Sequence, residues 1–376
     1  MKPYDIAQIF EQMELDLITS MKRNLTRHEA EEEREGFEWE QWQKRKLLAL
    51  SRYRRENRKL LQDYGKVIDS ETGELIMKSY FSGARGVDSL IDRLLRRAQN
   101  WLISGRVTKP ITDVSDDSFF RINERRINAL INAIQNDLRN GRDAMLRQAD
   151  DVYRQTVLKS EIYLNTGAVS LNQAIDMATR DFLDKGFNCI EYKDGRRMNI
   201  ASYAEMALRT SSQRAVFYGE GARRAEWGIH TVVISSHNNC SDLCLPWQGR
   251  VYIDDVYSGG KAGDGPYPLL STAMSNGLFH QNCRHNKSTY FPGVSSLPGQ
   301  VNEEKAEELY QAEQKQRYME RSIRQYKRRE AGSIDPANEA AAAAKVSEWQ
   351  ARLREHMEAN PQLRRDRSRE QIKIPV

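Results

Sequence analysis

The 376-residue chain contains no run of eighteen apolar residues, so no segment reads as a membrane-spanning helix. Its first residues, Met1 to Ile9, lack the basic flank, apolar stretch and small-residue cleavage site of a secretory signal; the chain is expected to be made and kept in a cytoplasm. Cysteine is scarce, with four residues, which excludes a disulfide-stapled scaffold. No Gly-Lys-Ser/Thr sequence occurs: Tyr64-Gly65-Lys66 is followed by Val67, and a Walker-type phosphate loop has no support. Internal repeats are absent. An excess of one charge is also missing, since 58 Lys and Arg stand against 53 Asp and Glu, and a net charge of +5 does not by itself announce nucleic-acid binding. The length allows two or three domains of about 150 residues, and 30% charged residues imply much solvated helix surface.

Periodicity supplies the organisation. Ile6, Ile9, Phe10, Met13, Leu17 and Met21 recur at three- and four-residue spacing and share one helix face. An acidic block, Glu29 to Glu40, follows with Trp39 and Trp42, and then the sign reverses. Lys44, Arg45, Lys46, Arg52, Arg54, Arg55, Arg58 and Lys59 stand against one Glu56. This basic ridge is either a solvated face paired with the acidic block or a contact for packaged nucleic acid. Asp69 to Gly73, between Val67-Ile68 and Leu75-Ile76-Met77, reads as a turn joining two short strands. Helical tracts are expected from Ser118, where Ile127, Leu130, Ile131, Ile134, Leu138 and Met145 hold one face, and over Leu171 to Leu183 and Tyr203 to Phe217.

The texture changes at Gly228. Ile229 to Ser235 and Gly249 to Ile253 read as short strands, and the Gly/Pro-rich stretch from Ser258 to Pro268 as a loop. Beyond Gly299 the chain is helical and charged again, with Asp335 as N-cap and Pro336 at the first helical position, a stop at Asn360-Pro361, and a basic tail from Leu363 to Arg369 expected to be mobile. The expected fold is mainly α with a small α+β zinc-knuckle-like module flanked by long amphipathic helices. Its divisions are 1–117 (N-terminal helical), 118–197 (central helical), 198–299 (Cys/His module) and 300–376 (charged helical region and tail).

Three of four cysteines and three of six histidines fall between His237 and His285. Zinc commonly takes four thiolate and imidazole ligands, and two short-spaced pairs joined by a loop close a tetrahedron. Cys240, Cys244, His280 and Cys283 give C-x3-C and H-x2-C pairs; His237 and His285 are alternates, as replacement ligands or as groups that orient a ligand. Four protein ligands leave no open position, so such a Zn2+ would fold the module and not catalyse. Buried unliganded thiols are the plainer alternative, and Cys189 stands alone as a core thiol. Phe279-His280 and Asn282 match part of the His-Asn-His nuclease pattern, but the partner residue before the base and a convincing later metal-side histidine are missing. A zinc-dependent nuclease or DNA-processing enzyme is therefore the rival reading, and a zinc-knuckle nucleic-acid binder a third.

The run Val233 to His237, Cys240-Ser241-Asp242-Leu243-Cys244-Leu245-Pro246-Trp247-Gln248-Gly249-Arg250-Val251-Tyr252 and Gly277-Leu278-Phe279-His280-Gln281-Asn282-Cys283-Arg284-His285 resembles the phage minor capsid protein 2 family, a relative of the phage Mu F-like head morphogenesis proteins. The segment Gln316 to Lys327 also resembles the family's region after the knuckles. Gln281 departs from the proline common there, which loosens the turn while leaving the ligand candidates in place. The resemblance implies a minor head protein of a tailed bacteriophage or prophage. Such a protein is a non-enzymatic virion component, at the capsid interior or portal vertex, associated with the portal protein and major capsid protein, with packaged double-stranded DNA nearby. It would act in head assembly, DNA packaging or genome delivery, passing through the host cytoplasm during assembly. No toxin or enzyme domain is expected after the capsid part. Trp247 is expected to cover the knuckle rather than anchor a partner.

Overall fold

A computed structural model describes residues 3–35, 39–96, 107, 110, 112–114, 117–164, 170–238, 240–281, 283–299 and 302–372. The described residues form eight α-helices: α1 (Pro3–Glu35), α2 (Trp39–Leu95), α3 (Asp117–Leu164), α4 (Leu171–Lys185), α5 (Ile200–Glu226), α6 (Leu270–Ser275), α7 (Glu303–Gly332) and α8 (Pro336–Ala359). Five short strands, β1 (Ile190–Glu191), β2 (Arg197–Met198), β3 (Thr231–Ile234), β4 (Val251–Ile253) and β5 (Lys287–Thr289), and three 3-10 turns complete the described elements. The mainly helical reading holds. No described helix is long and apolar enough to cross a membrane.

The expected strand pair at Val67-Ile68 and Leu75-Met77 is instead continuous helix within α2. Ile68, Thr72, Leu75, Ile76 and Tyr80 repeat every three or four residues, and all are buried. That stripe, buried on one helix face, outweighs the turn propensity of Asp69 to Gly73.

The chain divides into two compact units. One comprises Ser70–Gln135 and Met206–Glu313 together with the first residues of the chain, and it holds the Cys/His segment. In it α2 and α5 meet backbone to backbone. Gly83 lies against the Val216 carbonyl and Gly219 against that of Tyr80, so a Cβ at either position would collide with main chain. Tyr80, Phe119, Ile127, Ala215 and Ala222 fill the core around this contact. β3 is the central strand of the β4-β3-β5 sheet, antiparallel to both neighbours, with Val232 facing Tyr252 on one side and Thr289 on the other. Val232, Ile234 and Tyr252 pack on Phe217 of α5 together with all three clustered cysteines.

A balanced charge network is sealed in this unit. Lys287 Nζ lies 2.6 Å from Asp254 Oδ2, and both side chains are fully buried. Arg224 reaches Asp254 at 3.5 Å and Glu220 at 3.1 Å. The ammonium also lies over the Tyr257 ring, 4.4 Å from its centroid. Burial brings the Lys287 ammonium down to about 8, with Arg224 adding to the shift and Asp254 and Glu220 opposing it.

The second unit comprises Tyr4–Asp69, Asn136–Glu205 and the chain from Gln314 onward. Its core takes the apolar face of α1, where Ile6, Phe10, Met13 and Leu17 are fully buried as their spacing predicts. Helix ends here are closed by side chains. Ser170 and Gln173 form a capping box on α4, and Arg328 donates to the Leu183 and Asp184 carbonyls at 3.0 and 2.8 Å. Asp176 accepts from the Ile334 and Asp335 amides ahead of α8, whose own cap is Asp335 with Pro336 next, as expected. The tail is packed, contrary to the expectation of mobility. Arg365 pairs with Glu370, Arg369 with Glu205, and the Arg364 carbonyl accepts from Gln316. These are ion pairs that a basic composition alone does not reveal.

Candidate metal centre

Two turns bring the ligand candidates together. After β3 the chain folds back through Ser241, whose carbonyl accepts from the Cys244 and Leu245 amides, and a single 3-10 turn over Leu245–Trp247 leads into β4. After α6, Gly277 and Phe279 both take positive φ, at 115° and 59°. For phenylalanine that conformation costs about 1–2 kcal/mol, and it is held by the ring, 4.6 Å centroid to centroid from Phe217. The strained turn carries the chain into the Cys283 knuckle, closed by the Cys283 amide on the His280 carbonyl. α5 fixes this second knuckle, because Gln213 donates to the His285 carbonyl. Glu313 on α7 holds the intervening Arg284 through two hydrogen bonds, the shorter at 2.6 Å.

Cys244, Cys283 and His285 converge, all buried, with one ligand atom from each within 4.8 Å of the others. The two sulfurs are 3.5 Å apart, and Cys283 Sγ lies 3.4 Å from His285 Nδ1. The thiols are free. On the far side of the ring, His285 Nε2 meets Gln248 Oε1 at 3.0 Å. With the amide oxygen accepting, the proton sits on Nε2 and the Nδ1 lone pair faces the sulfurs, the orientation expected of a metal-binding histidine held by an outer hydrogen bond. His237 stacks on His285, ring centroids 4.1 Å apart, while its backbone amide donates to the same Gln248 oxygen.

The other candidates sit at the margin. Cys240 is buried in the same apolar cluster, and burial raises its thiol. His280 is half-buried, with Nε2 2.7 Å from Ser241 Oγ and Nδ1 2.7 Å from the Gln281 carbonyl. The hydrogen bond with Cys283 pulls the Cys244 thiol far down, aided by the histidines, while the same contact pushes Cys283 up. A hydrogen bond with Cys244 raises His280. The described partners of the His280 ring, Ser241, the Gln281 carbonyl and Cys244, include no carboxylate and no second imidazole, and Asn282, the other half of the nuclease-like pattern, lies outside the described residues. Trp247 packs on the cluster, and its carbonyl accepts from Tyr252 at 3.1 Å. Cys189 lies elsewhere, its thiol on the Gly141 carbonyl and raised by burial to about 12. Gln248, which ties His237 to His285, was not singled out by sequence reasoning; an uncharged side chain between a tryptophan and a glycine carries no motif signal.

The basic ridge is only partly solvent-facing. Arg54 pairs with Asp150 at 2.8 Å, and Arg45, Lys46 and Arg52 are half-buried and engaged within the protein. Arg55, Arg58 and Lys59 are exposed on one face of α2. The side chains of Lys44, of the Glu29 to Glu40 block and of Trp39 and Trp42 lie outside the described residues.

A structural protein of Lactococcus phage LL-H is 26% identical to the chain over 227 residues, covering 58% of this chain and 61% of that protein. The chain thus spans less than two thirds of its relative's length. No solved structure matches. The family model described as phage minor capsid protein 2 matches residues 2–358, from α1 through nearly all of α8, and the chain belongs to that family.

Proposed function

We propose that the protein is a minor head protein built into the capsid of a tailed phage or prophage. It docks on the portal protein and the major capsid protein and acts in head assembly, DNA packaging or genome delivery. The family match over residues 2–358 carries this reading. The structure is compatible with it: long charged helices offer extended surfaces for several partners, and Arg55, Arg58 and Lys59 offer three cations toward a duplex backbone. Co-expression with the portal and major capsid proteins of the same phage tests the docking. Co-elution with portal rings through size exclusion and a high-salt wash is expected; separate elution from both partners, each correctly assembled, contradicts it.

A further inference from the structure

We propose that Cys244, Cys283, His285 and Cys240 bind one structural Zn2+, with Cys240 and not His280 as the fourth ligand. A tetrahedral zinc with Zn–S of about 2.3 Å and Zn–N of about 2.0 Å sets ligand edges of roughly 3.8 Å between sulfurs and 3.5 Å between sulfur and nitrogen. The observed 3.5 and 3.4 Å edges lie close to those values. Two edges of one tetrahedral face are thus in place, and the third ligand pair lies within 4.8 Å. His285 is already turned to present Nδ1, with Gln248 fixing its far nitrogen.

The fourth position falls to Cys240 on three grounds. It is 8% exposed and lies in the same apolar cluster as Cys244 and Cys283. It sits beside Gln248, the residue that holds His285. It also belongs to the C-x3-C turn closed by Ser241, the same turn that carries Cys244. His280 touches Cys244, but its ring nitrogens also meet Ser241 Oγ and the Gln281 carbonyl, each at 2.7 Å, and recruiting it would break one of those contacts. The ion would cross-link the turn after β3 to the turn before β5 and clamp both edges of the sheet to its central strand. With four protein ligands it has no open position for water, so the role is structural.

The test is metal analysis of the full-length protein, followed by replacement of zinc with Co2+. One zinc per chain is expected. The Co2+ form should give the intense visible bands of a tetrahedral site and a thiolate charge-transfer band. Cys240→Ala should lower that band by about one third, from three thiolates to two, whereas His280→Ala should leave band and stoichiometry unchanged. Cys283→Ser should lose the metal, and circular dichroism shows whether the helices remain folded. A folded native protein without metal, or with a Cys244–Cys283 disulfide in its place, overturns the proposal. So does loss of ligation in His280→Ala with an unchanged band in Cys240→Ala. Capsid incorporation is read separately, so a failed metal site and a failed virion role are distinguishable.

Discussion

Replacing Asp254 by Asn should be among the most destabilising single changes in the protein. The substitution keeps shape and removes one charge from a sealed network of two cations and two anions. Lys287, fully buried, would lose its 2.6 Å partner and keep only Glu220 at 3.9 Å, a carboxylate already engaged by Arg224. Breaking a buried pair from one side costs about 3–5 kcal/mol, because the remaining charge is stranded. Lys287→Met should cost less, about 2–3 kcal/mol, since Asp254 would retain Arg224 at 3.5 Å and the Tyr257 amide at 2.9 Å. The double variant removes one charge of each sign and should cost less than the sum, by about 2 kcal/mol. Hydrogen exchange of the β3 amides, Val232 to Ile234, reads this stability locally, alongside denaturant unfolding of the full chain. Burial would raise the Asp254 carboxyl, but Lys287 and Arg224 outweigh it and hold it below the usual carboxylate range. The Asp254 carboxylate's contribution is thus present above about pH 3.9, the unfolded value, as long as Lys287 stays charged, and is lost as pH falls through the lower folded value. Additive single effects, or an Asp254→Asn cost under about 1 kcal/mol, would refute the assignment of the network as a coupled, fully desolvated unit.

Glu11 titrates in the opposite sense. Burial, reinforced by Glu14 and Glu205 and opposed by Arg324 and Arg369, raises its carboxyl from 4.5 to about 7. Between those values the folded chain holds a proton that the unfolded chain releases. Stability should therefore fall by about 3 kcal/mol as pH rises through this window; Glu11→Gln should flatten that slope in pH-dependent thermal unfolding and stabilise the protein at pH 8. Asp176→Ala should cost about 1–2 kcal/mol, because it leaves the Ile334 and Asp335 amides and Asn338 unpaired; hydrogen exchange should show the start of α8 loosening first. Alanine at Arg55, Arg58 and Lys59 together should weaken duplex DNA binding uniformly across sequences and reduce the log-log salt slope by about 2–3, measured by fluorescence anisotropy; an unchanged slope would remove this face from DNA contact.

Much of the fold was legible because helix periodicity is a strong local signal. α1, α3 and α4 follow from apolar spacing, and the start of α8 from Asp335 and Pro336, since cap chemistry is written in adjacent residues. The 67–77 segment was misread for a physical reason: its turn residues are local, whereas the burial that keeps Ile68, Thr72 and Ile76 helical is tertiary. β5 was missed because three residues, one of them a lysine, carry no strand pattern; Lys287 makes sense there only beside Asp254. At the candidate centre the sequence displayed the Cys and His supply, and the fold decided the grouping. His285 joins Cys244 and Cys283 through Gln248, a residue without motif value, and His280 turns toward Ser241. The tail was misjudged because ion pairs such as Arg369 with Glu205 span 164 positions.

The most direct test of the virion assignment is quantitative mass spectrometry of particles of the phage that encodes the chain, purified on a gradient and washed in high salt. The account predicts the chain in DNA-filled heads at a fixed ratio to the portal protein, and its loss from particles when the gene is silenced. Recovery of the chain only in the unassembled fraction, with heads of normal composition and infectivity formed without it, would contradict the account.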